Sequence, residues 1–461
     1  MELVGAPLRV ACLSEHASPA ALRGGEDAGG QNVYVDQISR HVAGLGYAVD
    51  VFTRRDCPAQ PTVVEWAPGV RIVNLTAGPA ALIPKDAMWP YMPAFRDAFL
   101  EFAAREETRY DLVHGNFWMS GWVAAELRRR LAIPAVQIFH ALGKTKQRHQ
   151  GTADTSPADR IAVELDVVRT VDRVIAHCPT ERAELVEDYD AQPDRIELIP
   201  AGVDLEVFWP VPQAEARRRI GLAVDERVVV YVGRLLPRKD VRNVVRALAL
   251  LGTSDGPPVR LLVVGGDSPE PDPVATPEIG VLQRLAAELG IADRVIFTGQ
   301  RQPRELRDYY CAGDVAVTTP WYEPFGLTPL EAMACGRPVV GAAVGGINFT
   351  IQDGVTGFLV PPRDPAALAT RLRQVLMRPA LAARLGHAAR ARMEREFTWP
   401  IAALRTAALY RTLLAERALA AAAAGLADAP LPPARAVTAS ARAHAPRRPL
   451  VRRPALQRSR S

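Results

Sequence analysis

The chain is short of the features that would tie it to a metal, a membrane or an oxidising compartment. Its five cysteines, at 12, 57, 178, 311 and 335, are odd in number and far apart, and none stands in the CxxC spacing of a zinc or redox pair. A reduced, cytoplasmic setting is therefore expected. No stretch approaches the roughly 20 consecutive apolar residues that span a bilayer. LRVACLS reads as a buried strand a few residues after Met1, with no charged leader before it, so neither secretion nor membrane insertion is expected. Acid is missing from one region in particular. Residues 429–461 hold eight arginines and no Asp or Glu, so the net charge of +5 belongs to this tail and the remainder carries −3. The tail has almost nothing to bury and reads as a disordered Ala/Pro/Arg-rich extension. Contact with an anionic surface is its functional option, and a nucleic-acid partner is not expected.

What the chain does have is a repeated α/β pattern. At roughly 100–200 residues per domain, 461 residues with 48% hydrophobic content allow two or three domains. Short Val- and Ile-rich runs alternate with helical patterns, as in parallel sheets covered by helices. Strands are expected at 8–14, 48–54, 70–75, 112–116, 135–140, 173–178 and 196–200, and again at 227–233, 260–266, 294–299, 315–320, 338–343 and 357–361. Between the two sets lies PAGVDLEVFWPVP (200–212), a proline-bearing linker without helical period. Two doubly wound domains in series place a ligand in the cleft facing the carboxyl ends of both sheets.

Four motifs face that cleft. EPFGLTPLEAMACGRPVV puts Glu323 at a strand end, the amides of 325–328 at a helix start and Glu331 about two turns into the helix. Such amides donate to an oxygen-rich ligand, one carboxylate can accept from sugar hydroxyls, and the second can take both hydroxyls of a ribose. In VGRLLPRKDV, Arg234 and Lys239 leave one strand end as a pair of cations suited to a diphosphate. EDAGGQNVYV (26–35) is a glycine turn before a helix beginning near Gln31, distinct from G-x-G-x-x-G; its glycines allow a ligand close to the backbone. In IFHALGKTKQRH, His140 closes a buried strand at the same cleft.

Together these motifs, with YDLVHGNFWMSG and VGGINFTIQDGVTGFLVPPRDP in order between and after them, resemble the retaining GT-B glycosyltransferases of family 4 over about 10–415. Within that family the chain is similar to sucrose-phosphate synthases and to the D-inositol-3-phosphate glycosyltransferase of mycothiol synthesis. The resemblance implies two Rossmann-like domains facing a central cleft: an acceptor-side domain over 1–205 and a nucleotide-sugar-binding domain over 206–397. A helix at 398–420 would pack back on the first domain, followed by the tail at 421–461.

The resemblance also assigns roles. Glu323 matches the glutamate near the donor sugar, Glu331 the ribose-binding glutamate, Arg234 and Lys239 the diphosphate clamp, and His140 the histidine that meets the transferred hexose. Gly29 and Gly30 match the turn that borders diphosphate and acceptor, and Phe325, Gly326, Leu327 and Thr328 supply helix-start contacts to the donor. Asn32, Lys85 and Arg160 fall at acceptor-contacting positions. Two departures stand out: Phe117 replaces a tyrosine and Ala141 a threonine of the inositol-phosphate enzymes. The expected reaction is hexose transfer with retention from a nucleotide sugar, UDP-glucose type favoured over GDP-mannose, to a small phosphorylated sugar or polyol. No metal or other cofactor is expected, because cations already neutralise the leaving diphosphate and no Asp-x-Asp is positioned to hold Mg2+. A nucleotide-sugar epimerase of the same fold, a catalytically dead binding protein and a nucleic-acid binder acting through the tail are the rival readings.

Overall fold

A computed structural model describes residues 7–21, 29–252 and 258–423. The arginine-rich tail and the first residues of the glycine motif lie outside them.

Two sheets organise the chain. The first contains β1 (Arg9–Leu13), β2 (Ala48–Arg54), β3 (Val63–Ala67), β4 (Val70–Leu75), β5 (Leu112–Asn116), β6 (Ala135–Ile138), β7 (Arg173–Ala176) and β8 (Ile196–Leu198), in the order β3-β4-β2-β1-β5-β6-β7-β8. The second contains β9 (Arg227–Val232), β10 (Val259–Val264), β11 (Val295–Gly299), β12 (Val315–Thr318), β13 (Val339–Ala342) and β14 (Gly357–Val360), in the order β11-β10-β9-β12-β13-β14. Neighbouring strands are parallel except at the edge, where β3 runs antiparallel to β4. Runs such as Val10–Leu13 and Val228–Val232 are buried throughout, as expected of strands covered by helices on both faces.

Each sheet reverses its strand order once, between β1 and β5 in the first and between β9 and β12 in the second. At such a point the connections on either side of the crevice diverge to opposite faces and leave an opening at the carboxyl ends. The segment after β1 is the glycine turn, and that after β5 begins with Phe117; the segment after β9 carries Arg234, and that after β12 carries Glu323. The motifs therefore share one address because of strand order.

Several polar contacts fix this frame. Asp50 on β2 accepts from Arg71 (2.8 Å), Arg9 (3.1 Å) and the Tyr110 hydroxyl (2.7 Å), tying β1, β2 and β4 together. The helix Trp399–Ala423 follows the second sheet. Its Tyr410 hydroxyl bonds His114 Nδ1 at 2.6 Å on β5, and its Ala407 carbonyl accepts from the Tyr47 hydroxyl at 3.4 Å, so residues up to 416 pack against the first sheet. Residues 417–423 belong to a separate unit and are helical.

Candidate active site

The glycine turn enters the helix Gly30–Gly44, with Gly29 as its N-cap. Asn32 builds this turn: its Oδ1 accepts from the Gly29 amide at 2.9 Å and its Nδ2 donates to the Ser18 carbonyl at 2.9 Å. The side chain is buried, so the structure gives Asn32 a capping task within the turn. A Cβ added to Gly29 would stand 3.9 Å from the Arg234 guanidinium carbon, and one on Gly30 3.5 Å from Leu327 Cδ1. The two halves of the site meet at these glycines, beside the amides of the first helical turn, which have no partner within the helix.

On the facing side, Lys239 ends the short 3-10 turn Pro237–Lys239, just before the helix Val241–Leu250. Its ammonium is ion-paired with Glu323 Oε2. Burial pushes the Glu323 carboxyl up, yet Lys239, Arg238 and Arg234 outweigh it and hold the group below its ordinary value, hence ionised. Burial, with Arg238 and Arg234 nearby, holds the Lys239 ammonium below its usual range despite the attraction of Glu323.

Glu323 lies five residues beyond β12, on a loop rather than at the strand end. The turn at Gly345 and Gly346 lies directly beneath it. The Gly346 amide donates to the Glu323 carbonyl at 2.9 Å, and a Cβ on Gly345, whose φ is +42°, would collide with that carbonyl. Gly326 (φ +90°) caps the helix Leu327–Ala334, leaving the first-turn amides pointed outward; Phe325 precedes the cap, and Thr328 is the second helical residue. Glu331 comes one turn into this helix, nearer the cleft than two turns would put it, because the helix starts at Leu327. Its Oε2 accepts from the Tyr310 hydroxyl at 2.8 Å.

His140 follows β6 in a left-handed conformation (φ +58°), which costs a non-glycine residue about 1–3 kcal/mol and persists only where the surroundings dictate it. Asn116 supplies one such constraint, with Oδ1 3.1 Å from His140 Nε2. The Asn116 amide nitrogen already donates to the Leu13 carbonyl, so Oδ1 is the acceptor and Nε2 carries the proton. Burial, with His177, His114 and His16 nearby, holds His140 well below the usual histidine range, so it is neutral and its Nδ1 is an acceptor. Tyr34 packs edge-on against it at 4.9 Å between ring centroids, and His177 lies at 5.7 Å. Neither Tyr34 nor His177 stands out in the sequence, since both read as ordinary core positions.

Arg160, expected at the acceptor, is buried at the start of the helix Arg160–Thr170. It donates to Glu164 (2.8 Å), Ser156 (3.1 Å) and the Ala141 carbonyl (2.6 Å), which uses three of the five N–H groups a guanidinium has. Phe117 sits 5.1 Å from its carbon, so the two departures from the inositol-phosphate pattern, Phe117 and Ala141, both touch this arginine. A polar pocket of about 120 Å³ opens beside it, lined in part by Gln147, Asp154 and Ser156. Lys85 begins a separate 3-10 turn, Lys85–Ala87, whose Asp86 accepts from the Thr155 hydroxyl at 2.5 Å.

Comparison with known proteins identifies the family. Residues 28–207 match the family described as Glycosyltransferase Family 4, and residues 212–392 that described as Glycosyl transferases group 1. The D-inositol 3-phosphate glycosyltransferase of Acidothermus cellulolyticus is 42% identical over 422 residues, covering 90% of this chain and 92% of that protein. The enzyme of the same name from Streptomyces coelicolor is 38% identical, over 88% and 91%. Among solved structures, sucrose-phosphate synthase from Thermosynechococcus elongatus superposes with a TM-score of 0.81 at 39% identity, covering 89% of this chain and all of that one. Anabaena Alr3699/HepE in complex with UDP and glucose shares the fold at a TM-score of 0.68 and 20% identity, covering 88% of this chain and all of that one. With both halves matched in order and relatives above 30% identity along nearly the whole length, the chain belongs to the GT-B glycosyltransferases of family 4 and is a sugar-transferring enzyme.

Proposed function

We propose that this glycosyltransferase moves a hexose, with retention, from a nucleotide sugar of the UDP-glucose type to a hydroxyl of a small phosphorylated sugar or polyol, without a metal ion. The observation that carries the reading is the charge arrangement across the cleft, with Arg234 beside the Gly29 turn and Lys239 paired with Glu323. Two cations and the amides at a helix start match a departing diphosphate, and their preorganised charge does the work that Mg2+ does elsewhere. The ionised Glu323 stands where it can favour a positive anomeric carbon. Neutral His140 offers Nδ1 to a hexose hydroxyl, and Glu331 takes the ribose. Departure of the diphosphate creates an oxygen able to accept the proton of the attacking hydroxyl on the same face, so no covalent nucleophile is needed.

The phosphorylated acceptor rests on Arg160 and Lys85. The relatives' names include inositol phosphate and sucrose phosphate, and the two N–H groups left on Arg160 can bind phosphate oxygens. The test is a donor screen with UDP-, ADP- and GDP-sugars, then an acceptor screen with the preferred donor in excess EDTA. Turnover of a UDP-hexose with a phosphorylated acceptor, undiminished by EDTA, is expected. Preference for GDP-mannose would replace the donor. Release of free nucleotide without any acceptor would favour an epimerase, and activity abolished by EDTA and restored by Mn2+ would overturn the leaving-group account.

A further inference from the structure

The loop that carries Glu323 is fastened to the amino-terminal half on both flanks. Downstream, the Pro324 carbonyl accepts from the Cys178 thiol at 3.4 Å, the Phe325 ring lies 5.1 Å from His177, and the Gly345 carbonyl accepts from the Thr180 hydroxyl at 3.3 Å. Upstream, the buried Tyr322 reaches the end of the helix Gly143–Gln150. Its hydroxyl oxygen is 2.5 Å from Gln150 Nε2, its ring stacks on His149 at 5.0 Å and 16°, and the Arg238 guanidinium lies 5.4 Å from its centroid.

That helix is unusual in a way that sharpens the observation. GKTKQRHQ buries only Gly143, so no apolar face seats it on the core. Polar contacts hold it instead, Lys146 to Asp154 at 2.9 Å and Arg148 to Asp188 at 2.8 Å. It begins three residues after His140, and its far end is the part that crosses to Tyr322. A single rigid element thus joins the segment after β6 to the segment after β12.

We propose that Tyr322, through Gln150 and His149, is a positioning residue for sugar transfer, a clasp across the cleft that sets the separation of His140 and Glu323. The inference rests on the roles proposed above for those two residues. The charged side chains proposed to hold the nucleotide, Arg234, Lys239 and Glu331, all lie on the carboxyl-terminal half, and the amino-terminal half adds the Gly29–Gly30 turn, whose neighbours across the cleft are Arg234 and Leu327 rather than Tyr322. Loss of the clasp therefore lowers kcat while leaving the affinity for free nucleotide alone.

The experiment uses the full chain with Tyr322→Phe, Gln150→Ala, the double variant and Tyr322→Ala. Steady-state kinetics with UDP-glucose and D-inositol 3-phosphate is combined with calorimetric titration of UDP, melting temperature and small-angle scattering of the unliganded protein. Misplacement of reacting groups costs on the order of ten- to a hundredfold in rate. Each single variant is expected to lose about tenfold in kcat, the double variant no more than either single, with UDP affinity and melting temperature unchanged and a larger radius of gyration for Tyr322→Ala. Additive losses, an unchanged kcat or a loss of UDP affinity would overturn the clasp. Should the wild type not turn over this donor and acceptor, scattering decides: an unchanged radius in Tyr322→Ala refutes the clasp, and an increased radius supports it while the substrate reading fails separately.

Discussion

The Lys239 ammonium and the Glu323 carboxylate are ion-paired in the cleft, which couples the cation suited to the leaving group to the anion suited to the sugar. Removing Glu323 therefore has two separable effects. Glu323→Gln is expected to depress kcat by about 10²–10³, as for other preorganised electrostatic groups, with affinity for free UDP retained. Glu323 is also the group that raises the Lys239 pKa against burial. In the variant, Lys239 loses its proton at a lower pH than in the wild type, so UDP affinity should begin to fall earlier as pH rises. Calorimetry from pH 6 to 9 checks this, and a variant that keeps kcat but loses UDP would reverse the assignment of roles.

Glu331 differs in kind, since it holds the nucleotide in ground and transition state alike. Glu331→Ala should weaken free UDP by the value of a charged hydrogen bond, roughly 1.5–3 kcal/mol, with kcat at saturation little changed. Tyr310→Phe removes the donor at 2.8 Å that orients the carboxylate and should give a smaller loss of the same sign.

Arg160 and Lys85 answer the acceptor question differently, because Arg160 also holds the buried Glu164, which accepts from the Gly143 amide and the Tyr189 hydroxyl. Arg160→Ala leaves that carboxylate without its ion-pair partner, a change that typically costs about 3–5 kcal/mol of stability, and melting curves should show it. Lys85→Ala is the cleaner acceptor probe. Its acceptor KM should rise about tenfold or more for a phosphorylated acceptor and not for the dephosphorylated compound; equal effects on both would remove the phosphate from the reading.

Glu181 gives a pH-dependent stability. It is buried at the start of the helix Pro179–Tyr189 with one oxygen accepting from the His177 amide at 2.6 Å, and burial pushes its carboxyl up to about 8. The folded state therefore favours the protonated form, while the unfolded chain ionises near pH 4.3. Stability from this group is present in full below about pH 4.3, is lost as pH rises toward 8, and is flat above. The neighbouring His114 and His177, pushed down to about 3 and about 4, stay neutral through that window. Glu181→Gln keeps an acceptor for the His177 amide and cannot ionise, so its melting temperature should exceed the wild type by several degrees at pH 8 and by little at pH 5. Parallel shifts at both pH values would refute the protonated resting state.

The strands buried on both faces were legible to within about three residues because continuous Val and Ile runs have no other stable place. The edge strand β3 was not, since VVEWA is half-exposed and alternates too weakly against its antiparallel partner. Glycine, glutamate and cationic motifs point to the candidate site because each follows a strand beside a reversal of strand order. What the chain withheld were contacts made between distant segments: the Lys239–Glu323 pair, the capping work of Asn32, the ring of Tyr34 under His140, and Tyr322 on Gln150. Nothing in TKQRHQ signals a partner some 170 positions away.

The distribution of groups between the two sheets bears on how such enzymes are recombined. Side chains proposed to choose the acceptor lie before position 207 and the charged side chains proposed to hold the nucleotide after position 212, at the boundary between the two family matches, with the Gly29–Gly30 turn adding backbone to the diphosphate from the first half. A chimera joined within the linker should inherit its acceptor from one parent and its nucleotide preference from the other. Compatibility between parents is then set by the small seam where the halves touch. Gln150 and His149 must meet an aromatic residue at 322, and Cys178 and Thr180 must meet the carbonyls of Pro324 and Gly345. Parents matched at those positions are expected to yield active hybrids, and mismatched ones to bind nucleotide normally yet transfer sugar slowly.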